Sequence, residues 1–200
     1  MKSMKHKIPH QIVGALFLLL SLGSCSSDGP GEQGPGQGEY FFKFKVEGEA
    51  ISYPFTPATQ INLTGILDHD PNTGLHVANI AGIKDNTVAD LADRLTFFLG
   101  DPNEFATAQP YSNVAGADRI LPATFQMAYA DAQGDIYVAS INTTAPPLYA
   151  PAQLQFTEIA QDHISGTFSG TLNRYDISGG KLELVGSLAI SEGSFKVPRH

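Results

Sequence analysis

The sequence predicts an all-β fold, an antiparallel β-sandwich, with a small lipocalin-like β-barrel as the alternative. Three observations carry this expectation. Apolar residues alternate with polar ones at period two through most of the chain after Tyr40. Clusters of Gly, Asn, Asp and Pro divide those runs into about nine or ten short strands. Helix signals are few; the best, a capping pair of Thr87 and Asp90, would start a single short turn.

The elements before the domain are of a different kind. Met1–Gln11 carries Lys2, Lys5 and Lys7 and no acid, and Ile12–Leu22 is an apolar run. A positive segment, a short apolar segment and a small-residue exit make a secretory signal peptide, expected over residues 1–24. Eleven apolar-run residues are too few to span a hydrocarbon core of about 20 residues. Leu22, Gly23 and Ser24 then lead into Cys25, the one cysteine of the chain. An intrachain disulfide and a Cys-based zinc site are therefore excluded.

Leu22-Gly23-Ser24-Cys25 resembles the lipobox of bacterial lipoproteins. That resemblance implies lipidation of the Cys25 thiol, cleavage before it and acylation of the new amino group. The expected partner is thus a membrane, held through lipid on Cys25, and the expected location is the outer membrane, on the cell surface or the periplasmic face. Ser26–Glu39 is dense in Gly and has no apolar side chain besides proline, so it reads as a flexible tether. Its 14 residues have a mean reach of roughly 20 Å. The domains expected are 1–24 signal peptide, 25–39 lipidated Cys and tether, and 40–200 a single β-domain.

Loss of Lys2, Lys5 and Lys7 leaves nine of the 12 basic residues against 20 acidic ones, a net charge of −11 rather than −8. Such a surface repels phosphate backbones, so nucleic acid is excluded as a partner class.

Within the domain, Phe42, Phe44 and Val46 share a face opposite Lys43 and Lys45; Ile51, Tyr53 and Phe55 alternate after the Glu47-Gly48 turn. Ile61, Leu63 and Leu67, a loop over Asp68–Gly74, then Leu75, Val77, Ala81 and Ile83 read as a hairpin. Leu95, Phe97 and Leu99 make a strand, as do Phe125, Met127 and Tyr129, with Asp131–Asp135 turning into Ile136–Ile141. Pro102–Pro122 is a long irregular stretch and the expected contact surface, and Ala145–Pro151 is a connector. Ile164, Gly166, Phe168, Gly170 and Leu172 alternate with hydroxyl residues, and Phe156 or Phe195 is expected to cover the gaps left by the two glycines. Leu182, Leu184, Leu188 and Ile190 form a further inner row, before Phe195 and Val197.

Tyr40-Phe-Phe-Lys-Phe-Lys-Val-Glu-Gly, Ile164-Ser-Gly-Thr-Phe-Ser-Gly-Thr-Leu and Ile190-Ser-Glu-Gly-Ser-Phe-Lys-Val-Pro resemble strands of small uncharacterised Bacteroidetes lipoproteins. The resemblance implies an exported antiparallel β-fold and brings no catalytic residues.

Chemistry is sparse. Gly166-Thr-Phe-Ser169-Gly170 lacks nucleophile-elbow spacing, and His76 and His163 have no partner near in sequence. Asp131, Asp135, Asp162 and Asp176 lie in turns, with no spacing that pairs them for glycoside hydrolysis. Asp68, Asp70 and Asn72 resemble the start of a calcium loop, although Gly74 falls one position late and Asn79 replaces the closing Glu. A plain hairpin loop uses the same residues. No catalytic residue, metal or cofactor is therefore expected. Tyr111, Tyr137, Tyr149 and Tyr175 are the aromatic candidates for glycan contact. The expected role is a non-enzymatic binding or structural module with a protein or glycan partner; the alternatives are an envelope or polysaccharide hydrolase and a carrier of an apolar ligand.

Overall fold

Period-two alternation makes strands with one buried face, but it does not say whether those faces meet across two sheets or around one barrel. The computed structural model, which describes residues 39–59, 61–85 and 92–200, decides the point. Eleven strands occur among the described residues: β1 (Phe41–Val46), β2 (Glu49–Pro54), β3 (Leu63–Asp70), β4 (Leu75–Ile83), β5 (Arg94–Asp101), β6 (Tyr111–Ser112), β7 (Thr124–Ala130), β8 (Ile136–Ser140), β9 (Ala152–Ile159), β10 (His163–Ser178) and β11 (Lys181–Pro198). They form one antiparallel sheet whose nine-strand path runs β2-β1-β11-β10-β8-β7-β5-β4-β3, with β9 paired to β10 and β6 to β9. β3, at one end of the path, meets the chain just past β11. Gly65 of β3 forms a parallel bridge with Arg199, and the His200 N–H donates to the Gly65 carbonyl at 2.9 Å. The fold is a nearly closed barrel, not the expected two-sheet sandwich; the barrel alternative fits it. Residues 1–38, 60 and 86–91 lie outside the described residues, and with them Leu22, Gly23, Ser24, Cys25, the expected tether to Gly38 and the expected Thr87–Asp90 turn.

Aromatic rings fill the barrel. Phe42 lies 5.3 Å from Phe168 and 5.7 Å from Phe195, and Phe97 lies 5.1 Å from Phe168, centroid to centroid. These rings sit on glycines. A Cβ on Gly82 would stand 2.4 Å from the Phe42 ring, and one on Gly193 would stand 2.4 Å from the Phe168 ring. Phe195 covers its cross-strand partner Gly166, as the alternation suggested; Gly170 is covered by Ala152 instead of an aromatic ring.

Three local registers differ from expectation. In β4 the inner residues are His76, Ala78, Ile80 and Gly82, because they pair with Asp101, Leu99, Phe97 and Leu95 of β5. Val77, Ala81 and Ile83 are only half-buried on the other face. The loop expected over Asp68–Gly74 is shorter, since Asp68, His69 and Asp70 pair with Val77, His76 and Leu75. Leu182 and Leu184 are 50% and 56% exposed rather than inner. A register shift between Arg174 and Tyr175 leaves Val185 as the extra residue of β11, so Tyr175 pairs with Leu184 and Ile177 with Leu182. One extra residue turns every side chain beyond it to the opposite face.

Seams that lack a full ladder are bridged by asparagine side chains. Asn62 accepts from the Thr56 N–H and donates to the Pro54 carbonyl, joining β2 to the start of β3. Asn113 accepts from the Ala152 N–H and donates to the Ser140 and Ala150 carbonyls.

Gly193→Ala should cost about 1–3 kcal/mol of unfolding free energy in denaturant titration, because a methyl group there displaces the Phe168 ring. Tyr53→Phe should behave oppositely. The Tyr53 hydroxyl is buried and finds no hydrogen-bond partner among the described residues, so its removal should leave stability unchanged or higher by up to about 1 kcal/mol.

Candidate functional site

The inner face of β3 and β4 changes character along its length. Leu63–Gly82 and Gly65–Ile80 pair over the core, Leu67–Ala78 follows, and His69–His76 comes last. β3 runs parallel to the end of β11 at the Gly65–Arg199 bridge, so Leu67 and His69 lie past the point where β11 ends at Pro198. There the inner face has no strand opposite it. A solvent-open bowl of about 450 Å³ results, with Leu67, Phe105 and Ile159 as apolar lining and His69, His76 and Arg199 among its polar groups. Asp68 and Glu104 add carboxylates to the same rim.

Each wall is held separately. Phe105 packs edge-on against Tyr111 at 5.3 Å and against Phe156 at 5.5 Å. Asp101, opposite His76 on β5, is buried and accepts from the Asn103 N–H and side-chain amide, which fixes the start of the loop carrying Glu104 and Phe105. Arg199 donates from Nη1 to the Ala160 carbonyl at 2.9 Å, and its N–H donates to the Asp162 carbonyl. The His69 and His76 rings stand 4.9 Å apart with planes tilted by 56°.

The residues singled out in the sequence are dispersed. Asp70 spends its carboxylate on the hairpin turn, accepting from the Asn72 N–H at 2.9 Å and the Thr73 hydroxyl at 2.8 Å. Those bonds hold its carboxyl below the usual range. Asp68 accepts from the His69 N–H. The Asp68–Asp70–Asn72 segment is thus hydrogen-bonded as a turn, and among the described residues no group of three or more His, Cys, Asp or Glu is arranged to hold a metal ion. Asp131 caps its own turn, Asp135 pairs with Arg174, Asp162 pairs with His163, and Asp176 accepts from the Ile177 N–H, so the four turn aspartates are engaged one by one. Tyr111 is buried, Tyr137 packs on Gly186, and Tyr149 lies edge-on to Tyr175, whose hydroxyl donates to the Leu148 carbonyl. Of Pro102–Pro122, Glu104 and Phe105 reach the bowl, while Tyr111, Ser112 and Asn113 are buried in a seam.

His163 sits at the start of β10 between two carboxylates. Its Nδ1 is 2.9 Å from Asp162 Oδ1 and its Nε2 is 3.1 Å from Glu158 Oε2. Glu158 first, and Asp162 after it, raise the imidazole pKa above its ordinary value; burial and Lys196 oppose them. His163 in turn lowers the Asp162 carboxyl. This triad buttresses the 160–163 turn that holds Arg199.

No protein-family model matches the chain, and neither does any curated protein or any solved structure. The bowl was not visible in the sequence because Leu67, His69, His76, Phe105, Ile159 and Arg199 come from five separate segments. One signal was available: His69 and His76 are equidistant from the Pro71–Gly74 turn, so a short hairpin loop places them opposite each other.

A raised folded-state pKa means that His163 stabilises the fold below its unfolded pKa of about 6.5, and that this is lost as pH rises through the folded value. Asp162 works in the other direction, its contribution disappearing as pH falls through its depressed pKa. The melting temperature should therefore decline from pH 6 toward pH 8, and His163→Gln should flatten that decline. Parallel pH profiles for the two proteins would remove the triad from the account.

Proposed function

We propose that this chain is an exported lipoprotein, held on the outer membrane by lipid on Cys25, whose barrel is a non-catalytic binding module for a small amphipathic ligand. The bowl carries this reading. Its volume of about 450 Å³ lies within the range of small-molecule sites, which favour barrel ends and combine apolar walls with a few convergent polar groups. Leu67, Phe105 and Ile159 suit an alkyl or ring portion, and His69, His76 and Arg199 suit a polar or anionic head.

Among the alternatives expected from sequence, the barrel favours a carrier of an apolar ligand. The interior itself is occupied by Phe42, Phe97, Phe168 and Phe195, so the ligand belongs at the open end. Two other hollows lack the paired imidazoles and the arginine of the bowl: one of about 420 Å³ is edged by Gln153, Gln155, Thr167 and Ser169, and one of about 440 Å³ lies against Tyr40, Phe41 and Phe55.

The position of the bowl agrees with anchoring. Phe41 pairs with Lys196, and Glu39 lies 3.6 Å from the Lys196 amine, so the chain enters the barrel at the end where Arg199 lines the bowl. A ligand site on a domain tethered within roughly 20 Å of a lipid surface suits a molecule that partitions into membranes.

Two measurements test the proposal. Titration with decanoate should shift amide resonances of Leu67, His69, His76, Phe105 and Arg199, with decanol binding more weakly for want of an anionic head. Shifts confined to residues 176–185, or none at millimolar ligand, would reject the bowl. Separately, cells should incorporate labelled fatty acid into the wild-type chain, and Cys25→Ser should be released from the membrane fraction. A membrane-bound Cys25→Ser protein, or an unlabelled wild type, would reject the anchor.

A further inference from the structure

The His69–His76 pair has a geometry that ligand binding alone does not require. The two residues are direct cross-strand partners on the concave side of the hairpin, and no hydrogen bond or ion pair engages either ring among the described residues. Every other titratable cluster described above is spent internally: His163 on Asp162 and Glu158, Asp70 on its turn, Asp101 on Asn103. The imidazole pair alone opens into the bowl with its ring nitrogens uncommitted.

We infer that His69 and His76 together chelate one late first-row divalent ion, such as Zn²⁺ or Cu²⁺, in the wall of the bowl. The spacing is the argument. With metal–nitrogen bonds of about 2.0–2.1 Å, roughly 1.1 Å more to each ring centre and a near-tetrahedral angle, two imidazoles on one ion stand about 5 Å apart. The observed separation is 4.9 Å, and the 56° tilt departs from a stacked pair, in which the nitrogens would not converge. Imidazole selects this part of the periodic table; Ca²⁺ and Mg²⁺ prefer all-oxygen shells.

Two protein nitrogens leave further coordination positions for water or for a ligand's anionic head. The bowl's charged groups, Asp68, Glu104 and Arg199, sum to one negative charge, which does not oppose a cation. The site is therefore one of moderate affinity, open on one side. It stands independently of the amphipathic-ligand reading, because the ion requires only the histidine pair.

The test uses the full chain carrying Cys25→Ser, in detergent, so that the thiol does not compete. Calorimetric titration with ZnCl₂ should show a site absent, or weakened about tenfold or more, in chains that also carry His69→Ala or His76→Ala. CaCl₂ should give no matching heat. His6, His10, His163 and His200 are common to all three chains and cancel in the comparison. A second measurement does not depend on the variants folding: substoichiometric Cu²⁺ should broaden the His69 and His76 ring signals before any other. Identical zinc isotherms in the three chains, or first broadening at His163 or at the leader histidines, would overturn the inference. Decanoate shifts in a protein that binds no zinc would reject the metal site alone.

Discussion

The barrel depends on phenyl rings being allowed to lie directly on backbone. Phe42 rests on Gly82, Phe168 on Gly193 and Phe195 on Gly166, at distances where any Cβ would overlap the ring. Glycine in a strand weakens it by entropy, and about 1 kcal/mol each is a plausible scale for that cost. The return is a core in which four large rings from β1, β5, β10 and β11 meet within 5.1–5.7 Å. Offset and edge contacts of this kind contribute beyond the area they bury. The same arrangement explains why the barrel is filled. Its walls approach more closely over glycine than they would over alanine, and the rings take the remaining space.

Closing a sheet around such a core leaves places where neighbouring strands cannot form a ladder. β8 and β10 are paired at Asn173 and Val138 alone. Buried N–H and C=O groups in these gaps must still find partners. Asparagine supplies one acceptor and two donors on a short side chain, which is the peptide group in miniature. Asn62, Asn113 and Asn173 are buried, and each reaches backbone groups that a missing strand would have served. Asn142 does the same for the connector, accepting from the Tyr149 N–H and donating to its carbonyl.

These two devices mark what was legible in the sequence. Alternation located most of the strands, and Phe195 over Gly166 followed from a glycine facing a potential aromatic partner. Closure was not legible, since a sandwich and a barrel both ask one buried face of each strand, and Gly65–Arg199 and Asn62–Pro54 are long-range or irregular contacts. β4 misled because Val77, Ala81 and Ile83 make its outer face as apolar as its inner one. Leu182 and Leu184 misled because a single extra residue, Val185, reverses the face. A second register shift, between Ile190 and Gly193, left a visible trace: Leu188 and Ile190 face inward at even numbers, and Gly193, Phe195 and Val197 at odd ones. The candidate site was the least legible part. Reading Asp68–Gly74 as one loop turned attention to its oxygens and hid the pairing of His69 with His76.

Unequal strand lengths account for both ends of the molecule. β10 and β11 are 16 and 18 residues long, whereas β1 and β2 have six each. At one end the β10–β11 hairpin outruns its neighbours, so Ile177, Leu182 and Leu184 share an exposed apolar face beyond the Tyr175–Leu148 bond. At the other end β11 stops at Pro198 while β3, β4 and β5 continue, so the inner face emerges from the core. Alternation still points those last residues inward, yet there is no ring left to cover them. An inward position without a covering strand is wet, and polar side chains can occupy it without a desolvation penalty. That is why a histidine pair appears at the end of the rows that begin with Leu63 and Gly82. Asp101, at the end of the row that begins with Leu95, is buried and is satisfied by Asn103. The bowl follows from where the strands end, and its chemistry follows from which residues the alternation delivers there.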